Sequence, residues 1–250
     1  MFSRRQFSGM LTAVLLAGCT QPPASAPPLP MGAPLPKSDT QDAVDEDAAE
    51  QGVADVPATF QVKFETTKGD FVVEIHRDWS PNGAKRIHEL VKSGFYDDCR
   101  FFRVIRKPWE QNDFMVQWGI HGDPKVMDKW RDANIKDDQP TGANRQSNQR
   151  GFVTFARSDR PNSRSTQIFV NYTDNSFLDP AQRGFNPFGK VLSGMDVLDK
   201  LNGEYAGAPS DAQPRIQREG NAFLDKAFPK LDSIKKATFV KPEAKSDEGE

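Results

Sequence analysis

An antiparallel β-barrel is the fold class that the sequence predicts, on three observations. A hairpin is written in plain apolar–polar alternation near residue 60, several further short apolar runs are separated by long glycine-bearing loops, and only two stretches carry helical periodicity. The regular strand–helix alternation of a doubly wound sheet is missing, and no repeat indicates a solenoid.

The elements follow in order. Phe60, Val62 and Phe64 alternate in one strand and Phe71, Val73 and Ile75 in the next, with Lys68 and Gly69 at the turn, so one face of each strand is buried. Ser80 is a good N-cap and Pro81 suits the first helical position. Ala84, Ile87, Leu90 and Val91 then make a single apolar stripe that Gly94 stops. Strands are predicted over 101–105, 114–117, 152–156, 167–171 and 188–192, and a second short helix over 194–201 on Val197, Leu198 and Leu201. The folded domain is placed at 58–240, with a disordered charged tail over 241–250.

The N-terminal part reads differently. Ser3-Arg4-Arg5-Gln6-Phe7 is a positive n-region, Met10 to Leu16 a short apolar run, and Leu16-Ala17-Gly18-Cys19 a small-residue cleavage site ending on cysteine. The run is too short to span a bilayer. Residues 1–18 resemble a bacterial lipoprotein signal peptide, with Cys19 as the lipidated first residue of the mature chain; an ordinary secretory signal with an incidental cysteine is the plainer alternative. The paired arginines before Phe7 also resemble a twin-arginine export signal. Residues 19–57 read as a disordered tether, rich in proline and alanine at first and then acidic, with seven acids and no bases between Asp39 and Asp55. The expected location is the membrane surface facing the periplasm or cell exterior. Thr20 after the cysteine, where Asp is not present, leans toward the outer membrane.

Bulk chemistry narrows the function. With 36% hydrophobic residues in 250 the chain holds a substantial core, and a formal charge of −2 argues against a nucleic-acid binder that works by bulk electrostatics. His76, His88 and His121 lack partners at metal-ligand spacing, so no metal site is expected. Neither a Gly-x-Ser-x-Gly elbow nor a phosphate-cradling glycine loop is present. Cys99 follows Asp97 and Asp98, whose charge raises its pKa, and reads as an inert, half-buried thiol. What remains is single polar residues inside apolar strands: Arg103 in "FFRVI", Gln117 in "FMVQW" and Gln167 in "STQIFV". Periodicity leaves open whether Arg103 points to solvent or into a groove.

"FFRVI", "DFMVQWGIHGDP", "RGFVTFARSDRPNSRSTQIFVNYTDNSFLD" and "NPFGKVLSGMDVLDKL" occur in the order and character of the cyclophilins. The resemblance covers residues 60–202, or extends to 239 through a C-terminal extension as in some bacterial members, and implies a closed eight-stranded antiparallel barrel capped by two α-helices. It also implies peptidyl-prolyl cis-trans isomerase activity without cofactor or metal. By that resemblance Arg103 and Gln117 are catalytic, Phe114, Met115, Phe169 and Leu178 form the proline pocket, and Gln167 lines the groove. Ala156 and the backbone of Arg157 hold the peptide.

Departures from the family pattern fall at four places. Phe177 stands where tryptophan is common and Phe185 falls where histidine is common, both counted with the substrate-binding residues, and Arg157 replaces a frequent asparagine. The loop 106–113 is longer than usual and could fold over the groove. Trp118 is expected to pack at the barrel end. Arg145, Arg150, Arg157, Arg160 and Arg164 read as a solvated loop face, with attraction for acidic clients as the sharper alternative. The implied partners are proline-containing polypeptides and, through Cys19, a lipid membrane; no nucleic acid is expected, and the protein is read as a monomer. A groove used for peptide binding or holding, without turnover, is the rival function.

Overall fold

The computed structural model describes residues 56–179 and 184–241. The expected signal peptide, Cys19, nearly all of the tether and the tail beyond Lys241 lie outside the described residues, as do residues 180–183.

Eight strands form one antiparallel sheet: β1 (Thr59–Thr66), β2 (Gly69–His76), β3 (Arg103–Val104), β4 (Met115–Trp118), β5 (Phe152–Phe155), β6 (Ile168–Asn171), β7 (Pro187–Ser193) and β8 (Ile234–Phe239). Their order in the sheet is β3-β4-β6-β5-β7-β2-β1-β8. The β1–β2 hairpin pairs from Thr59 opposite His76 to Thr66 opposite Gly69, as the alternation predicts. Its inward side chains Val62, Phe64, Phe71, Val73 and Ile75 are all buried.

The sheet curls but does not close, which corrects the closed barrel that the resemblance implies. The run predicted over 101–105 contributes only a two-residue strand. Its outer edge is occupied: the Val104 N–H donates to the Ala206 carbonyl at 3.1 Å, where a closing strand would pair. Only the segment before β3 reaches β8, through a bridge between Arg100 and Ser233 and bonds from the Phe101 N–H to Asp232 O and from the Ile234 N–H to Cys99 O, both 2.9 Å.

Five α-helices pack around the sheet among the described residues, not two: α1 (Pro81–Lys92), α2 (Pro124–Trp130), α3 (Met195–Leu198), α4 (Gln213–Glu219) and α5 (Asn221–Ala227). The added three have seven residues each and bury one or two side chains, too few to write a stripe. In α1 the stripe is buried as expected, and Ser80 holds the N-cap position without capping through its own side chain. The cap comes from Asp138, whose carboxylate accepts from the Asn82 N–H at 2.9 Å and the Gly83 N–H at 3.1 Å, and from the Ser80 hydroxyl.

Asp138 also binds Arg164, whose Nη1 lies 3.0 Å from Oδ2, while Arg164 Nε donates to Asp137 at 3.1 Å. Arg164 is 1% exposed and Asp138 4%, so this part of the basic stretch is not a solvated face. Arg157 is also withdrawn, lying 3.9 Å from Asp137 and donating to Arg160 O at 2.8 Å, whereas Arg145, Arg150 and Arg160 are exposed as expected. The bond network pins the loop 157–165 to the start of α1.

Trp118 is fully buried, edge-to-face with Phe64, Phe71 and Phe101. Cys99 is fully buried too, not half-buried, and burial pushes its thiol pKa up, with Asp98 and Asp97 adding to the shift. Among the described residues no helix is long and apolar enough to cross a membrane, and no cluster of side chains could hold a metal ion.

Removing the Asp138 carboxylate strips α1 of its cap and leaves Arg164 short of a buried partner. Asp138→Ala is expected to lower the unfolding free energy by about 3 kcal/mol, read as a shift in the urea midpoint at unchanged slope. A shift worth less than about 1 kcal/mol would mean that the network contributes little beyond an ordinary hydrogen bond.

Candidate active site

Register builds the site. Arg103 on β3 pairs with Gln117 on β4, and Gln117 pairs on its other side with Phe169 on β6. Residues directly opposite in an antiparallel sheet project to the same face, so the guanidinium, the amide and the ring form one row across three strands. Met115, two residues before Gln117, shares that face, while Val116 and Trp118 turn to the core. The orientation of Arg103, which alternation leaves open, is thereby settled toward the groove.

A groove of about 450 Å³ runs over this face. One end is apolar: Met115, Phe169 and Leu178 form a buried cluster separate from the main core, with Phe114, Ala156 and Phe185 packed against it. Leu178 is set by a tight turn over Ser176–Leu178, and Phe185 meets Phe169 edge-to-face at 6.2 Å. Asn148 braces both sides, donating to Phe185 O at 2.8 Å and to Asp179 at 2.9 Å.

The other end is polar. Arg103 Nη1 donates to Gln117 Oε1 at 3.4 Å, Gln117 Nε2 to Gln167 Oε1 at 2.8 Å, and Gln167 Nε2 to Gln213 Oε1 at 3.0 Å. A guanidinium only donates, so the direction of the whole series is set at Arg103. The Arg103 guanidinium carbon sits 5.7 Å from the Phe114 ring centre. Among the described residues no carboxylate lies within ion-pair distance of Arg103. Burial draws its pKa down, and the Asp211 carboxylate opposes that pull.

Arg103, Gln117, Phe114, Met115, Ala156, Arg157, Gln167, Phe169, Leu178 and Phe185 all line the groove. Phe177 does not: Leu178 turns inward, so its neighbour faces out, 54% exposed, with its ring stacked on Phe114 at 5.9 Å. No residue of the loop 106–113 lines the groove either. Trp109 leans on Gly203, where an added Cβ would lie 2.6 Å from the indole, so the loop packs away from the expected lid position. Sequence reasoning missed Ser158, Ser163, Ser165 and Gln213. The serines lie inside the quoted "RSDRPNSRS" loop, but Gln213 has no local signal, since the segment after residue 202 shows no periodicity to place it.

Comparison with known proteins agrees with this geometry. A family model described as cyclophilin-type peptidyl-prolyl cis-trans isomerase matches residues 61–220, past 202 and into the extension that the resemblance carries to 239. A peptidyl-prolyl cis-trans isomerase of Acinetobacter baylyi is 34% identical over 146 residues, covering 58% of this chain and 72% of its own. Peptidyl-prolyl cis-trans isomerase B of Escherichia coli is 34% identical over 151 residues, covering 58% and 86%. In fold, the chain resembles the crystal structure of a Cryptosporidium parvum cyclophilin-type isomerase, with a TM-score of 0.52 at 20% identity, covering 73% of this chain and 98% of that one. The curled sheet with its one-faced groove has the cyclophilin fold, and the chain belongs to the cyclophilin-type peptidyl-prolyl cis-trans isomerases.

The described groove lining holds two guanidiniums and no histidine, cysteine, lysine or carboxylate. The isomerase rate is therefore expected to stay flat from about pH 6 to about pH 9. A lowered guanidinium pKa moves loss of charge toward neutrality from above, so any fall must come on the alkaline side. An acid-side limb in the pH–rate profile would show that a group outside the lining controls the reaction.

Proposed function

We propose that Arg103 drives rotation of X-Pro bonds in exported or envelope proteins by stabilising the twisted amide, with the apolar end of the groove holding the proline ring. The observation that carries this reading is the single row of Arg103, Gln117 and Phe169 beside a separate apolar cluster.

A peptide bond resists rotation by about 18 to 20 kcal/mol because the nitrogen lone pair is delocalised into the carbonyl. In the twisted state that lone pair localises on the prolyl nitrogen. A guanidinium N–H aimed at it makes a bond that strengthens as the barrier is climbed, and such differential stabilisation raises the rate. Half-burial beside Phe114 removes competing water and makes the donor more effective than in bulk solvent. Met115, Phe114, Phe169 and Leu178 grip the ring, with Phe185 closing the far side, while the preceding carbonyl swings. Gln117 faces the substrate backbone, and Ala156 with the Arg157 backbone holds the flanking peptide. An acceleration of about 10⁵-fold requires about 7 kcal/mol in all, within reach of one charge-assisted bond, desolvation and tighter binding of the twisted form.

The clients follow from the proposed location. Residues 1–18 are read as an export signal, Cys19 as the acylated residue and 19–57 as the tether that holds the domain near a membrane. A second acyl chain or further signal makes such anchoring stable. The working unit is a monomer facing proline-containing polypeptides.

Arg103→Ala is expected to reduce kcat/KM on an Ala-Pro peptide by about 10²- to 10³-fold while peptide binding is largely kept, measured by NMR exchange spectroscopy. Retention of the native rate would remove the guanidinium from the mechanism. Failure of the native protein to accelerate exchange, with binding intact, would leave the groove a holding surface. Cys19→Ser is expected to move the protein from the membrane to the soluble fraction on cell fractionation, and a variant that stays membrane-bound would defeat the anchor.

A further inference from the structure

The segment between α3 and β8 does more than link them. Its carbonyl at Ala206 caps the free edge of β3 one residue from Arg103, and the turn Ala208–Ala212 then leads into α4 at Gln213. The segment is rooted in the core by Ile216 and Leu224, 1% and 2% exposed, and by the Asn221 N–H donating to Gly122 O at 2.9 Å. Between α4 and α5, Gly220 has φ +61°, and an added Cβ would lie 2.0 Å from the Gly122 oxygen. The two helices are thereby pressed against the loop that follows β4. The start of α4 is fixed relative to the catalytic row.

Gln213 ends the polar series. Gln167 uses its oxygen on Gln117 and its N–H on Gln213, so its amide is held at both ends. Gln117 in turn has its oxygen turned toward Arg103 and its N–H toward Gln167. Glutamine is among the side chains with most rotamer freedom to lose, and one bond alone leaves much of it. We propose that Gln213 is a positioning residue: its carbonyl, presented from the start of α4, fixes the Gln167 amide and through it the face that Gln117 and Arg103 offer to the substrate. The role rests on the Arg103 mechanism above. The same segment carries Asp211, the charge that opposes the effect of burial on Arg103.

Two replacements test the acceptor. Gln213→Met keeps the length of the side chain and removes the acceptor; Gln213→Glu keeps an acceptor and removes the amide donor. Expected in the purified protein is a loss of about fivefold in kcat for Gln213→Met, the size of one ordinary hydrogen bond, with KM unchanged. Gln213→Glu recovers most of that loss. In parallel, the side-chain amide of Gln167, followed by ¹⁵N relaxation, becomes markedly more mobile in Gln213→Met, while backbone spectra and melting temperature confirm that both variants fold. A rise in KM at constant kcat would make Gln213 a direct peptide contact and overturn the positioning role. An unaltered Gln167 amide, or a Glu variant as impaired as the Met variant, would overturn it too. The two readings fail separately, because an unaltered rate in Arg103→Ala sinks the guanidinium mechanism, whereas the amide mobility reports on Gln213 whatever the rate.

Discussion

The placement of β4 between β3 and β6 is the constraint on which the site depends. In a strand, side chains alternate between faces, so a slip of one residue would turn the Gln117 amide from the groove into the core and Trp118 out of it. That slip is blocked from the core side. Trp118 is fully buried against three phenylalanines contributed by β1, β2 and the segment before β3, and a smaller neighbour in its place would leave a cavity. Gly119 then takes φ +111° with Thr166 so close that an added Cβ would lie 2.4 Å from its carbonyl oxygen, which ends the strand at one position. The hydrophobic packing on one face is thus what aims the polar groups on the other.

A second layer of organisation joins the groove's outer wall to the first helix. The loop carrying Arg157 and the groove serines has little secondary structure, yet Arg164 anchors it to Asp137 and Asp138, and Asp138 doubles as the α1 cap. A buried ion pair of this kind adds little net stability relative to an apolar pair, but it tolerates few alternative arrangements once the partners are desolvated. Its value here is geometric: it ties the wall of the groove to a helix that contributes nothing to the groove lining.

Much of this was legible in the sequence, and the limits have physical causes. The β1–β2 hairpin and α1 stood out because each shows one buried face with clear period. The groove residues came through the resemblance, and the β3–β4–β6 register then showed why they face the same way. β8 escaped because it buries only Ile234 and Ala237, separated by two exposed lysines, which breaks strict alternation. α4 and α5 were too short to display a stripe. Phe177 and Leu178 are adjacent in a tight turn, where no periodicity says which of two apolar residues points in. Ser80 takes the N-cap position as read, but local rules could not know that the capping bonds would come from a carboxylate 58 residues away.

The way the outer edge of β3 is covered has a consequence for how such a protein can diverge. Because a connecting segment, not a strand, completes that edge, the neighbourhood of Arg103 is set by a part of the chain that shares no ladder with the rest of the sheet. Insertions or exchanges there need not disturb the pairing that holds the apolar end of the groove. The sheet register and part of Arg103's surroundings are therefore carried by separable stretches of one chain, and selection can vary the second while the first stays still.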